Sequence, residues 1–182
     1  MRSSPTGRHH ATFVFRRRLP KPTDPGDEKV LADIREYGFH AKHVRPDAHP
    51  EHAAENAALG PHPIYDIGFS YTVGLPYSHD HAEIALVGRI PDDKAHAILW
   101  EVVHLIEGGA SFAPGDQSDL ILHELPARFG PVSAHRRKEL LTFADWAARR
   151  KRFEAVQLLV PDREGNFPGE AGYAGPPQPL LD

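Results

Sequence analysis

Three side chains of types that bind metal ions occur at alternate positions near the middle of the chain, namely His79, His81 and Glu83. Because successive residues of a β-strand point to opposite faces, alternate positions share one face. Imidazole nitrogens and a carboxylate oxygen are a suitable ligand set for zinc, manganese or ferrous iron. The spacing therefore predicts a candidate divalent-metal site. The competing interpretation is a turn residue, a strand-edge residue and a salt-bridge partner, since a chain with 13 histidines contains such coincidences.

Glu83 is the one charged residue of the otherwise apolar segment 82–88. A buried carboxylate is costly unless it is paired, and its pKa then shifts, which is typical of functional sites. His96, at the edge of the apolar face of a predicted helix, is a further candidate metal ligand. His40 joins the candidate site if its strand is adjacent to that of Glu83.

Tyr71, Thr72 and Gly74 approach a tight strand end, where backbone amides and hydroxyls can hold an anion or a ring. With His40 and the turn residue Asp162 they form the set of candidate ligand-binding residues. The alternative is a strand whose glycine is needed only by its turn. The sequence contains no glycine-rich nucleotide-binding fingerprint and no nucleophile-elbow pattern.

The elements that would position these residues begin with a helix, for which Asp24 is a suitable N-cap, Pro25 suits the first turn and Gly38 is the stop signal. Two apolar segments, 67–73 and 82–88, favour an antiparallel hairpin because their connection is short. The other predicted elements are a strand over 39–44, a surface loop over 45–63 with a short helix at 51–59, a helix from Pro91 to Gly108, a strand over 120–125, a helix from Ser133 to Arg150, and a strand over 155–160.

This order favours a single α+β domain, because the regular strand–helix alternation of a doubly wound sheet is absent. We expect a largely antiparallel sheet packed with about three helices. A split barrel resembling flavin-reductase-like proteins is an analogy at the level of the fold. The predicted boundaries are a disordered basic arm over 1–23, the domain over 24–168, and a Pro- and Gly-rich tail over 169–182.

Composition excludes several classes of function. The formal net charge is −4, so no nucleic-acid partner is expected, and the basic run 149–152 is assigned to a helix C-terminus. The chain has no cysteine, which excludes disulfides, thiolate metal sites and a cysteine nucleophile. No apolar stretch has the length of a membrane helix or signal peptide, so a cytoplasmic protein is expected.

Several short motifs resemble a bacterial family of uncharacterised proteins, the domain-of-unknown-function family 4262. The matching segments are 37–40 (Tyr-Gly-Phe-His), 69–75 (Phe-Ser-Tyr-Thr-Val-Gly-Leu), 81–83, 95–96, 109–115, 157–158, 161–168 (Pro-Asp-x-x-Gly-x-Phe-Pro) and 178–181. The resemblance covers roughly residues 28–181, with Phe39 in place of a more frequent Trp and Ala82 in place of Pro. It implies kinship and a shared fold, and no activity.

Two functions of different classes follow from these patterns. The first is a small-molecule or metal-binding domain with a pocket lined by His, Glu and Tyr side chains. The second is a protein-interaction module, such as an immunity or stress-related adaptor, without catalysis. The sequence leaves open whether the protein is an enzyme and which metal, substrate or protein partner it takes. It also leaves the oligomeric state open.

Overall fold

A six-stranded open sheet forms the centre of the molecule. The computed structural model describes residues 18–46, 64–149 and 152–182. The strands lie in the order β1-β2-β3-β6-β5-β4, with β3 and β6 parallel and every other neighbouring pair antiparallel. The strands are β1 (His40–Val44), β2 (Phe69–Val73), β3 (Glu83–Val87), β4 (Gln117–Ser118), β5 (Ala127–Pro131) and β6 (Ala155–Leu159). The predicted single α+β domain is confirmed, and the split-barrel analogy is wrong because this sheet does not close.

The described residues form five helices, of which the long ones are those predicted. These helices are α1 (Pro25–Tyr37), α2 (Leu75–Ser78), α3 (Asp92–Glu107), α4 (Ala134–Leu140) and α5 (Thr142–Ala147). Asp24 caps α1 by accepting the Asp27 amide at 2.9 Å, and Gly38 ends it with a φ of 81°. The predicted helix over 133–150 is broken in two at Leu141, whose φ of −95° and ψ of 50° are not helical. None of the described helices has the length and apolar character needed to cross a membrane.

Both faces of the sheet are covered. The face that carries Phe69, Tyr71 and Val73 packs against α1, α4 and α5. The opposite face, with Ile84 and Leu86, packs against α3. Strands β2, β3 and β6 are buried at every position. Double burial explains why the segment that forms β3 is almost wholly apolar, because neither face meets water.

The strand predicted over 120–125 is wrong. Leu120 is 70% exposed, and the residues around it form bends. The strand lies later, at β5, where Phe129 is buried and pairs with Leu158. The sequence of β5 contains Gly130 and Pro131, residue types that are rare inside strands. Strand propensity therefore does not predict β5.

Both ends of the described chain contact the domain that the sequence predicts over 24–168. Leu19 contacts the core on the α1 side, and Thr23 donates two hydrogen bonds to Asp27. At the other end, Leu181 is buried, and its amide donates to the side chain of Gln157 at 2.9 Å. The predicted short helix at 51–59 and most of the arm over 1–23 lie outside the described residues.

Candidate functional site

Glu83 lies at the start of β3 and is 1% exposed. Its carboxylate accepts hydrogen bonds from the Thr72 hydroxyl and the Gly74 amide, both at 2.7 Å, and from the Leu75 amide. Within the described part of the chain it has no ion-pair partner. Burial raises the pKa of Glu83 to about 8, and these three donors act in the opposite direction. We call Thr72, Gly74, Leu75 and Glu83 the Glu83 network.

The Glu83 network depends on the glycine that the sequence placed in a turn. Gly74 has a φ of 120°, and a Cβ built there would lie 2.8 Å from Cγ1 of Ile34 in α1. Any side chain would therefore clash with α1 and strain the backbone. The amide of Gly74 points at Glu83 instead of a strand partner, so the carboxylate ties the start of α2 to β3. All oxygen atoms of this side chain are engaged in holding the fold.

His81 is buried, with 7% exposure, and both of its ring nitrogens bond to the backbone. Nδ1 lies 2.7 Å from the Ala82 carbonyl, so it carries the proton, and Nε2 accepts the Phe112 amide at 2.9 Å. Burial lowers the pKa of His81, which favours this neutral form. A metal ion would need the lone pair that Phe112 uses. His81 therefore anchors the loop that follows α3.

The other candidate histidines do not converge on Glu83. His40 lies on β1, and β2 separates that strand from β3; its Nδ1 is 2.7 Å from Asp33. His96 is exposed on α3 and accepts the indole N–H of Trp100 at 2.7 Å. His79 follows α2, and burial lowers its pKa. In residues 18–46, 64–149 and 152–182, no group of three or more acidic or histidine side chains is placed to hold a metal ion.

The remaining candidate ligand-binding residues are also buried. Asp162 accepts amides of Ala174, Asn166 and Glu164 at 2.8 to 3.0 Å, which lowers its pKa and organises the C-terminal loop. Tyr71 is 1% exposed, and burial raises its pKa to about 12. Its hydroxyl accepts the Phe143 amide at 3.3 Å and bonds to the Thr142 side chain. Tyr71 therefore does not line an open pocket itself, but it reaches the residues that do.

A surface cleft lies at the junction of α4 and α5. Its volume is about 490 Å³, and it is lined by Pro20, Lys138, Thr142, Asp145, Trp146 and Arg149. We call it the Trp146 cleft. Lys138 lies on α4, Thr142, Asp145 and Trp146 lie on α5, and Arg149 follows α5 closely. Thr142, which bonds to Tyr71, lines this cleft.

Three polar side chains of the Trp146 cleft, those of Lys138, Trp146 and Arg149, have no polar partner among the described residues. Lys138 and Arg149 are exposed, and neither forms an ion pair with Asp145 or with another described residue. The half-buried indole of Trp146 packs edge-on against Phe143, and its N–H makes no hydrogen bond to the described chain. Arg149 has a φ of 53°, a left-handed conformation that is unusual for a residue other than glycine. No pattern in the sequence predicts this cleft, although Arg149 belongs to the basic run 149–152.

A second cleft, of about 240 Å³, lies beneath the C-terminal segment. Two of its polar side chains, Arg128 and Gln157, are already engaged. Arg128 bonds to Glu170 at 2.6 Å and lies 3.8 Å from the centre of the Phe167 ring. Gln157 bonds to the backbone of Pro179 and Leu181. The Trp146 cleft is therefore the better candidate for ligand binding.

The fold and cleft define an α+β domain with an open mixed sheet, a buried polar network and a cleft whose two cationic side chains form no ion pair with a described residue. The family model Domain of unknown function (DUF4262) matches residues 33–174. The chain therefore belongs to this family, as its motifs predicted. The matched region contains all six strands. No curated protein and no solved structure matches the chain.

Proposed function

We propose that this protein is a small-molecule-binding domain of the bacterial cytoplasm and that it takes a small organic anion in the Trp146 cleft. The observation that carries the proposal is the pair of cationic side chains, Lys138 and Arg149, beside the Trp146 ring with no ion pair to a described residue. The volume of about 490 Å³ lies within the range of ordinary ligand pockets. The absence of cysteine and of a long apolar stretch supports the cytoplasmic assignment.

The chemistry of the lining favours an anion with an apolar or planar part. Lys138, Arg149, the Thr142 hydroxyl and the Trp146 indole N–H are all hydrogen-bond donors. A carboxylate or phosphate can accept from several of them at once, with charge assistance from the two cations. The Trp146 ring and Pro20 offer apolar surface to the rest of the ligand.

Tyr71 supports the proposal because it preorganises the cleft. Its hydroxyl bonds to the Thr142 side chain and accepts the Phe143 amide, next to the break at Leu141. A cleft whose lining is held by a buried hydrogen bond loses less conformational entropy when a ligand binds. This gives Tyr71, a candidate ligand-binding residue from its sequence motif, an indirect role in binding.

The test is a titration of the protein with 3-phenylpropanoate and phenyl phosphate, followed by the amide chemical shifts of residues 138–149. We expect saturable shifts there that weaken as ionic strength rises, because salt screens the exposed charges. Lys138→Ala and Arg149→Ala should each weaken binding by about two- to fivefold, as expected for one exposed charge pair. The matched controls Lys94→Ala and Arg163→Ala, at exposed positions outside the cleft, should bind as the wild type does. Absence of saturable shifts for both probes would refute the proposal.

The alternative, a protein-interaction module, has support from one surface feature. Tyr37 is 41% exposed and lies edge-on to the half-buried Trp100, with ring centroids 5.8 Å apart. Exposed aromatic residues are enriched where proteins bind one another. Under this alternative, Tyr37→Ser would abolish capture of a specific partner from bacterial lysate, whereas Lys138→Ala would not.

A further inference from the structure

Asp145 introduces a negative charge into the Trp146 cleft, which a site for anions alone would not need. The described lining residues carry two positive charges, on Lys138 and Arg149, and one negative charge, on Asp145. A carboxylate near the position of a bound anion would weaken binding by repulsion. Its presence is favourable if the ligand brings a cation of its own.

The local backbone explains why Asp145 and Arg149 do not neutralise each other. The two residues are four positions apart, a spacing that commonly allows an ion pair on a helix. Helix α5 ends at Ala147, however, and Arg149 has left the helix with a φ of 53°. The two side chains form no ion pair with each other, and neither pairs with another residue of the described chain, so both charges face the cleft without a described partner.

The Trp146 ring adds a second group that attracts a cation. The face of an indole is the strongest of the aromatic faces in attracting an ammonium group. Asp145 and Trp146 are adjacent in sequence and line the same cleft. An amine can therefore contact the carboxylate and the ring, while a carboxylate of the same ligand contacts Lys138 or Arg149.

We propose that the ligand of the Trp146 cleft is a zwitterion that carries both a carboxylate and a protonated amine, as a free amino acid does. This inference rests on the proposed function, because it assumes that the cleft binds small molecules. It adds that Asp145 determines specificity, by selecting ligands with an amine over simple anions of the same shape.

Three probes of the same shape test the role of each charge: L-phenylalanine, 3-phenylpropanoate without the amine, and 2-phenylethylamine without the carboxylate. Trp100→Phe leaves Trp146 as the single tryptophan, so its fluorescence reports on the cleft. We expect L-phenylalanine to bind about tenfold more tightly than either analogue, from one ion pair and one cation–π contact. Amide shifts of residues 138–149 in the wild type provide a second readout that does not depend on the Trp100 variant.

Asp145→Asn distinguishes this inference from the proposed function. It should reduce the affinity for L-phenylalanine by about two- to fivefold, because the ion pair is lost while the Trp146 ring stays, and leave the affinity for 3-phenylpropanoate equal or higher. If 3-phenylpropanoate binds as tightly as L-phenylalanine, the zwitterion inference is overturned while anion binding stands. If neither probe binds, both proposals are wrong.

Discussion

The Glu83 network and the Trp146 cleft place polar groups in opposite situations. In the network, the carboxylate of Glu83 accepts from one hydroxyl and two backbone amides, away from water. In the cleft, Lys138, Asp145 and Arg149 form no ion pairs with described residues and face an open space. Reactive residue types are therefore not sufficient to identify a binding site. What matters is whether their hydrogen-bonding groups are already used by the fold.

The largest expected effect is the loss of stability when the Glu83 network is disrupted. Glu83→Ala removes the acceptor of the Gly74 and Leu75 amides and leaves a cavity. Unsatisfied buried amides and lost packing should together lower the free energy of unfolding by about 3–5 kcal/mol. Urea denaturation measures this loss. A change below about 1 kcal/mol would show that water reaches the network and replaces the carboxylate.

The pH dependence of stability should reveal the same buried carboxyl. Burial raises the pKa of Glu83 from 4.5 to about 8, so folding favours its protonated form. Its stabilising contribution is full below about pH 4.5 and is lost as pH rises through about 8. Glu83→Gln keeps the shape and cannot ionise. Relative to this variant, the wild type should lose a few kcal/mol between about pH 5 and pH 9 in denaturation experiments. A pH-independent difference would mean that the three donors hold the ionised form.

His81→Ala should lower the stability of the fold and leave ligand binding unchanged. It removes the bond to the Phe112 amide and the one to the Ala82 carbonyl, at a cost of about 1–3 kcal/mol. The affinity for 3-phenylpropanoate should stay unchanged, because His81 does not line the cleft. His104→Ala, at an exposed position on α3, is the control and should change neither quantity. Loss of ligand binding in His81→Ala would support instead the pocket lined by His, Glu and Tyr side chains that the sequence predicts.

Tyr71→Phe tests the link between the interior and the cleft. Removal of the hydroxyl leaves the Phe143 amide and the Thr142 side chain without this partner, which should cost about 1 kcal/mol of stability. Because the lining residue Thr142 loses this bond, the affinity for 3-phenylpropanoate should also fall by a few-fold. Isothermal calorimetry and thermal denaturation measure the two effects. An unchanged affinity would show that Tyr71 serves packing alone.

The smallest change in stability is expected for a variant of the Trp146 cleft. Lys138→Ala should change the free energy of unfolding by less than about 0.5 kcal/mol, because the side chain is exposed and forms no ion pair with described residues. The same variant should weaken anion binding. The comparison predicts that a cleft residue such as Lys138 is dispensable for folding and required for binding. A stability loss above about 1 kcal/mol would mean that Lys138 supports the fold.

Local signals explain the parts of the fold that were predicted. Asp24, Pro25 and Gly38 define α1 through capping groups that act within a few residues, and the apolar stripe of α3 has the helical period. The hairpin of β2 and β3 follows from a short connection. Strand β5 was missed because Gly130 and Pro131 acquire their place from pairing with β6, which is distant in sequence.

The candidate site, like the fold, could be predicted from the sequence only in part. The sequence by itself determined that Glu83 is the one charge in an otherwise apolar segment and that Gly74 lies where the strand must turn. Only the tertiary structure decided that backbone amides satisfy Glu83 and His81, and that Lys138, Asp145, Trp146 and Arg149 meet around one cleft. The physical reason is that composition and periodicity report how each residue partitions between water and core. Whether a polar atom has a partner depends on which distant backbone groups the sheet order and the break at Leu141 bring within hydrogen-bonding distance.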